Sequence, residues 1–133
     1  GHAGGDSVLQ KVVERSLRAL RAYDALGRIG GEEFLIVMPG VGARDASIVL
    51  ERIRHSVRQA TIELQGVEIS VTVSIGGAVN GGEAPEELLH LADEALYRAK
   101  GEGRDRVVMA PRKESEAEMM LQTSQAAAPA EAE

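Results

Sequence analysis

Residues 28–39 read RIGGEEFLIVMP: an arginine, two glycines, two adjacent carboxylates, then an apolar run. Glu32 and Glu33 repel each other at a tight turn, so a purely structural turn has little reason to keep both. A divalent cation removes the conflict. Hard ions such as Mg²⁺ take a few oxygen ligands from protein and share the rest with substrate phosphates. Gly30 and Gly31 let the backbone approach a ligand more closely than any Cβ would allow. The stretch is compatible with a metal, a phosphate and a planar base, and equally with a surface hairpin whose glutamates are only solvated.

The elements that must position these residues follow from periodicity. Short apolar segments at 25–29 and 34–38 flank Gly30-Gly31, which predicts a hairpin whose glycines supply the positive φ of a primed turn. The second run is continuous and apolar, so it is expected in the core, with Phe34 buried. Val8, Leu9, Val12, Val13, Leu17 and Leu20 recur at helical spacing over 7–22, with Asp6 placed as the cap. Ala46, Val49, Leu50, Ile53 and Val57 predict a helix over 43–59. A third helix over 85–100 starts at Pro85 and is stopped by Gly101. Val67, Ile69, Val71, Val73 and Ile75 alternate with polar neighbours, the mark of one strand with a wet face. A last strand is expected over 106–109. This order predicts an α+β fold, a largely antiparallel central sheet flanked by helices.

Composition narrows the function classes. The 133 residues carry 44% hydrophobic side chains, enough for one globular core. No apolar run reaches the roughly 20 residues that span a bilayer, so no membrane contact is expected. One Phe, two Tyr and no Trp leave no stacking platform for single-stranded nucleic acid, and a net charge of −6 disfavours a phosphate-backbone partner. The absence of cysteine fits a reducing compartment. After Ala110 the chain turns to Ala, Glu, Gln, Ser and Pro. A domain over 1–110 is therefore expected, with a low-complexity, disordered tail over 111–133 in which only 114–122 has helical character.

Further motifs carry a resemblance. Gly30-Gly31-Glu32-Glu33-Phe34 resembles the signature of GGDEF domains, the diguanylate cyclases that condense two GTP into cyclic di-GMP and pyrophosphate. Residues 1–6 (GHAGGD), 71–76 (VTVSIG), 92–100 (ADEALYRAK) and 103–105 (GRD) resemble other family segments in the same order. The resemblance implies a ferredoxin-like palm and assigns roles by position. Glu32 would ligate Mg²⁺ or Mn²⁺, and Glu33 would help deprotonate the attacking 3′-hydroxyl. Gly30 and Gly31 would lie against substrate, and Asp6 would accept from the guanine N1–H and 2-amino group. Lys100 and Arg104 would hold the triphosphate from one helical face. Arg21 and Asp24 match the family's R-x-x-D inhibitory site for cyclic di-GMP, where arginine bonds guanine O6 and N7.

The same resemblance implies a homodimer, since each domain brings one GTP, and a sensory or regulatory domain N-terminal to this one. The location would be cytoplasmic, in a protein that is itself free to be membrane-anchored. Family members carry an upstream strand with a metal-binding aspartate, which is absent from these residues, so the fragment alone is expected to be poorly stable or inactive. Asp105 stands where the family has Asn. His2 reads as a structural histidine and Asp93 as a helix residue bonded to nearby backbone. The alternative reading is an inactive GGDEF domain that senses cyclic di-GMP or GTP.

Overall fold

The computed structural model of the chain describes residues 2–111, with the backbone alone at His2 and Ala3. The readings of the tail and of the His2 side chain fall outside the described residues. The order is α1 (His2–Ala19), β1 (Ala25–Gly30), β2 (Glu33–Val37), α2 (Ala43–Gln59), β3 (Ile62–Leu64), β4 (Val67–Ile69), β5 (Ile75–Gly77), α3 (Pro85–Gly101) and β6 (Val107–Met109). The α+β class holds. Within it the described strands pair as three two-stranded ladders, β1–β2, β3–β4 and β5–β6. The chain divides into two compact units, Gly1–Val73 and Ser74 onward.

In the first unit α1 packs on α2 and β3. Ala46, Leu50, Ile53 and Val57 of α2 are buried, a single stripe spaced at four and three residues, and Ala60 and Ile62 extend this core. Each of its larger aliphatic side chains contributes about 1.5–3 kcal/mol by leaving water. Arg54 continues the stripe with its aliphatic stem, while its Nε donates to Glu51 at 2.8 Å.

Helix α1 begins earlier than the spacing predicts, so Asp6 lies inside it rather than capping it. Gly4 and Gly5 disfavour a helix by about 1 kcal/mol each relative to alanine, which hides this first turn from a sequence reading. Tertiary packing offsets part of that cost: a Cβ on Gly4 would rest 3.6 Å from Leu64 Cδ1 of β3.

The single strand expected over 67–75 is instead two pieces. Gln65 and Gly66 both take positive φ, 51° and 80°, and close a two-residue hairpin between β3 and β4. Residues 70–74 join no ladder. The primed turn thus falls at Gln65-Gly66, not at Gly30-Gly31, neither of which has positive φ.

In the second unit β5, α3 and β6 form a strand–helix–strand crossover. The helix carries the chain back, so β5 and β6 pair parallel, against the antiparallel trend of the other ladders. The Ile75 amide donates to the Arg106 carbonyl at 2.9 Å and the Ala110 amide to Gly77 at 2.7 Å. Ala95 and Ala99 of α3 are fully buried, and small side chains there let strand and helix approach closely.

Candidate functional site

The signature stretch forms the β1–β2 hairpin. Its register runs from Ala25↔Val37 to Arg28↔Phe34, then shifts by one residue so that Gly30 faces Glu33. That irregularity at Ile29 adds local twist and lets Gly31 and Glu32 turn the chain without positive φ. The Arg28 Nε donates to the Gly31 carbonyl at 2.7 Å and pins the turn from one side. Glu32 and Glu33 are exposed, and a Cβ at Gly30 or Gly31 would meet nothing within 4 Å. Neither conformation nor crowding therefore requires glycine at these two positions, which leaves the turn open to a ligand at close range.

The hairpin is less buried than its composition predicts. Phe34 is half-buried, Ile29 is 54% exposed and Val37 50% exposed, and no residue of β1 or β2 is fully buried. Its two strands pair with each other and with no third strand among the described residues, so both edges of the ladder are unpaired there.

Two adjacent carboxylates fit a Mg²⁺ ion as partial ligands. Among the described residues no group of three His, Cys, Asp or Glu side chains assembles a complete cage. Oxygen donors from one glutamate or two, completed by water and phosphate oxygens, are the coordination this ion ordinarily accepts. Asp6 is exposed on α1, and no hydrogen bond or ion pair joins it to Glu32 or Glu33 among the described residues.

Arg21 and Asp24 are brought together. The Asp24 amide donates to the Arg21 carbonyl at 3.0 Å and the Arg21 amide to Asp24 Oδ2 at 2.7 Å, which closes the segment into a turn. The Arg21 Nη2 donates to Asp24 Oδ1 at 2.7 Å, and its Nε to the carboxylate at 3.1 and 3.2 Å. Nη2 also reaches the Pro39 carbonyl at 2.7 Å, and Nη1 the Tyr23 hydroxyl at 3.2 Å. The guanidinium lies 4.4 Å from the Tyr23 ring centroid, a cation–π distance. Arg21 thus clasps the end of β2 opposite the signature turn. Tyr23 and Pro39 carried no motif, and only the fold brings them to the arginine.

The Arg21 guanidinium holds the Asp24 carboxyl below its ordinary range, and hydrogen bonding from the Arg21 amide adds to this against the opposing effect of desolvation. A carboxyl depressed in the folded state stabilises above its unfolded pKa of 3.8 and loses that contribution as pH falls through the folded value. Thermal melts should therefore show stability declining below about pH 4 in the natural protein. Asp24→Asn is expected to flatten that acid limb, and an unchanged limb would remove Asp24 from the account.

Lys100 and Arg104 do not share a helical face. Lys100 is exposed in the last turn of α3, which ends at Gly101. Gly103, at φ 123°, is the residue that ends the helix, and the Arg104 amide donates to the Ala99 carbonyl at 3.0 Å in a Schellman closure. Arg104 and Asp105 follow at φ 66° and 47°, the left-handed region. Asp and Asn both tolerate that region, so Asp105 suits its place, and its amide donates to Ser74 Oγ at 3.2 Å. Asp93 is exposed, and its side chain makes no hydrogen bond to a described residue in place of the backbone bond expected.

An exposed arginine with positive φ stores about 1–3 kcal/mol of strain, and such strain is typical of positions kept for function. On the phosphate-binding role that the family resemblance implies for it, Arg104→Gly should leave the melting temperature unchanged or raised, while any GTP affinity falls roughly tenfold or more. A variant with unchanged GTP affinity would take Arg104 out of the site.

Comparison with known proteins bears on family and fold. The family model described as "Diguanylate cyclase, GGDEF domain" matches residues 1–106. Diguanylate cyclase DgcP of Pseudomonas aeruginosa is 39% identical over 111 residues, covering 83% of this chain and 16% of that protein. Diguanylate cyclase SiaD from Pseudomonas aeruginosa, solved with its activator SiaC, superposes with a TM-score of 0.78 at 42% identity, covering 83% of this chain and 43% of that one. The GGDEF domain of DgcB from Caulobacter crescentus, solved with c-di-GMP, gives a TM-score of 0.78 at 33% identity, covering 83% of this chain and 67% of that one. The chain belongs to the diguanylate cyclase GGDEF domain family. It spans 16% of the length of DgcP and less than half of the SiaD chain. No helix among the described residues is long and apolar enough to cross a membrane.

Proposed function

We propose that residues 1–110 are the catalytic region of a diguanylate cyclase, which joins two GTP into cyclic di-GMP with release of pyrophosphate. The observation that carries this reading is the signature turn: Glu32 and Glu33 exposed side by side, beside glycines with open space around them. Binding of cyclic di-GMP at Arg21 and Asp24 alone would not need either carboxylate. In this reading Glu33 accepts the proton of the ribose 3′-hydroxyl that attacks the α-phosphate of the second nucleotide. Asp6 accepts from the guanine N1–H and 2-amino group, contacts that adenine does not offer in the same pattern. Lys100 and Arg104 bond the phosphates with charge-assisted donors. Glu32 would hold Mg²⁺ or Mn²⁺, which when bound supplies neutralisation of phosphate charge and a more acidic nucleophile.

Two such domains face each other in this reading, each with one GTP, so the active form is a homodimer in the cytoplasm, governed by a sensory or regulatory domain. The product also binds at Arg21 and Asp24 and inhibits. Every nitrogen of the Arg21 guanidinium is engaged within the protein. Cyclic di-GMP must therefore exchange those bonds for its own, and inhibition is expected only once product accumulates.

Chromatography of a reaction of the full-length protein with GTP and Mg²⁺ tests the proposal. Cyclic di-GMP and pyrophosphate are the expected products. Absence of product at concentrations that permit dimerisation, with cyclic di-GMP still bound, would replace the enzyme by the receptor reading that the preformed Arg21–Asp24 pair favours.

A further inference from the structure

Arg28 has the one guanidinium that touches the signature turn, among the described residues. Its Nε donates to the Gly31 carbonyl at 2.7 Å, while the side chain as a whole is exposed. Neither terminal nitrogen makes a hydrogen bond or ion pair with a described residue, and no ion pair joins it to Glu32 or Glu33. Arg21 is the contrast in the same unit, because each of its three guanidinium nitrogens bonds Asp24, Tyr23 or Pro39.

Pinning a carbonyl requires one neutral donor, which a glutamine would supply. A planar, permanently charged fork held at that carbonyl with two unengaged amino groups matches the geometry of a phosphate better than that of any group nearby. The neighbouring carboxylates reinforce the need. Glu32 and Glu33 repel an approaching triphosphate, and a fixed cation beside them lowers that barrier without neutralising either by direct pairing.

We propose that Arg28 is a phosphate-binding and positioning residue of the nucleotide site. Its Nε fixes the Gly31–Glu32 turn, and its two terminal amino groups bond phosphate oxygens of the nucleotide held there. The proposal rests on the nucleotide reading of this turn given above. It adds an arginine on the same hairpin as the carboxylates to the phosphate ligands expected from Lys100 and Arg104.

The test uses the full-length protein, a GTP analogue with a methylene between the α- and β-phosphorus atoms, and guanosine as a phosphate-free probe. The analogue is not turned over, so binding is read directly. Arg28→Ala and Arg28→Gln are expected to weaken the analogue roughly ten- to hundredfold while guanosine affinity stays within about twofold, as for loss of one charge-assisted contact. Arg28→Lys should recover only part of the loss, because it restores the charge though not the fork.

Analogue affinity unchanged in the alanine and glutamine variants would overturn the proposal. An equal loss for analogue and guanosine would also overturn it, since that marks a turn that has merely collapsed. If the natural protein binds neither probe, the nucleotide reading itself fails and this proposal with it. Thermal melts of the three variants confirm that the fold persists.

Discussion

Gly76→Ala is expected to unfold the unit from Ser74 onward, or to destabilise it by about 3 kcal/mol or more, the upper end for overpacking a closed contact. The added Cβ would lie 2.2 Å from the Leu96 amide nitrogen, 2.4 Å from the Ala92 carbonyl oxygen and 2.6 Å from the Leu96 Cα. All three are backbone atoms in the middle of α3, so no side chain can swing aside. Relief requires the helix to leave the strand. That movement would open the packing of Ala95 and Ala99 and strain the bonds that tie β5 to β6. Glycine in a strand often marks such a close backbone approach. The midpoint of thermal unfolding should fall by on the order of 10 °C. Gly101→Ala is the control, since a Cβ there meets nothing within 4 Å. Equal melting of the two variants would sink the account.

Gly76 also shows what a sequence can and cannot display. The helices α2 and α3 were legible because their burial is periodic: Ala46, Leu50, Ile53 and Val57 recur as one stripe, and Pro85 marks where α3 begins. Their ends depend on chemistry that spacing hides. Gly101 looked like the stop of α3, yet the left-handed residue that closes the Schellman bond is Gly103. Asp6 looked like a cap because it stands just before the helical apolar spacing, yet the helix runs on through Gly4 and Gly5 to His2. Alternation over 67–75 read as one strand, but a strand needs a partner, and residues 70–74 pair with none described.

The candidate site divides along the same line. Glu32 and Glu33 stood out because two adjacent like charges at a turn demand a reason. Arg21 and Asp24 stood out by spacing, and the structure gives them one another as partners. Arg28 sat in the same short stretch without a distinguishing pattern. Its significance lies in a side chain folding back on a carbonyl three residues later, a matter of rotamer and register that residue types do not encode.

Glu33→Gln should reduce cyclic di-GMP synthesis by about two to four orders of magnitude, the range typical when a general base is removed. The substitution is nearly isosteric and removes only the charge. Glu33 is exposed and contributes its backbone to the hairpin through the Gly30↔Glu33 pair, so the ladder is untouched and stability should change by no more than about 0.5 kcal/mol. GTP binding should persist, because in the proposed site guanine is held by Asp6 and the phosphates by Lys100 and Arg104. Glu32→Gln differs in kind: it would remove the proposed metal ligand, so synthesis should fall and the Mg²⁺ concentration needed for half-maximal activity should rise. Product measured by chromatography, with GTP titration and a thermal melt on each variant, separates the two glutamates. Undiminished synthesis in Glu33→Gln would refute its role as base. Loss of synthesis together with loss of GTP binding would instead make it a ligand-holding residue, and the proton of the 3′-hydroxyl would then need another acceptor.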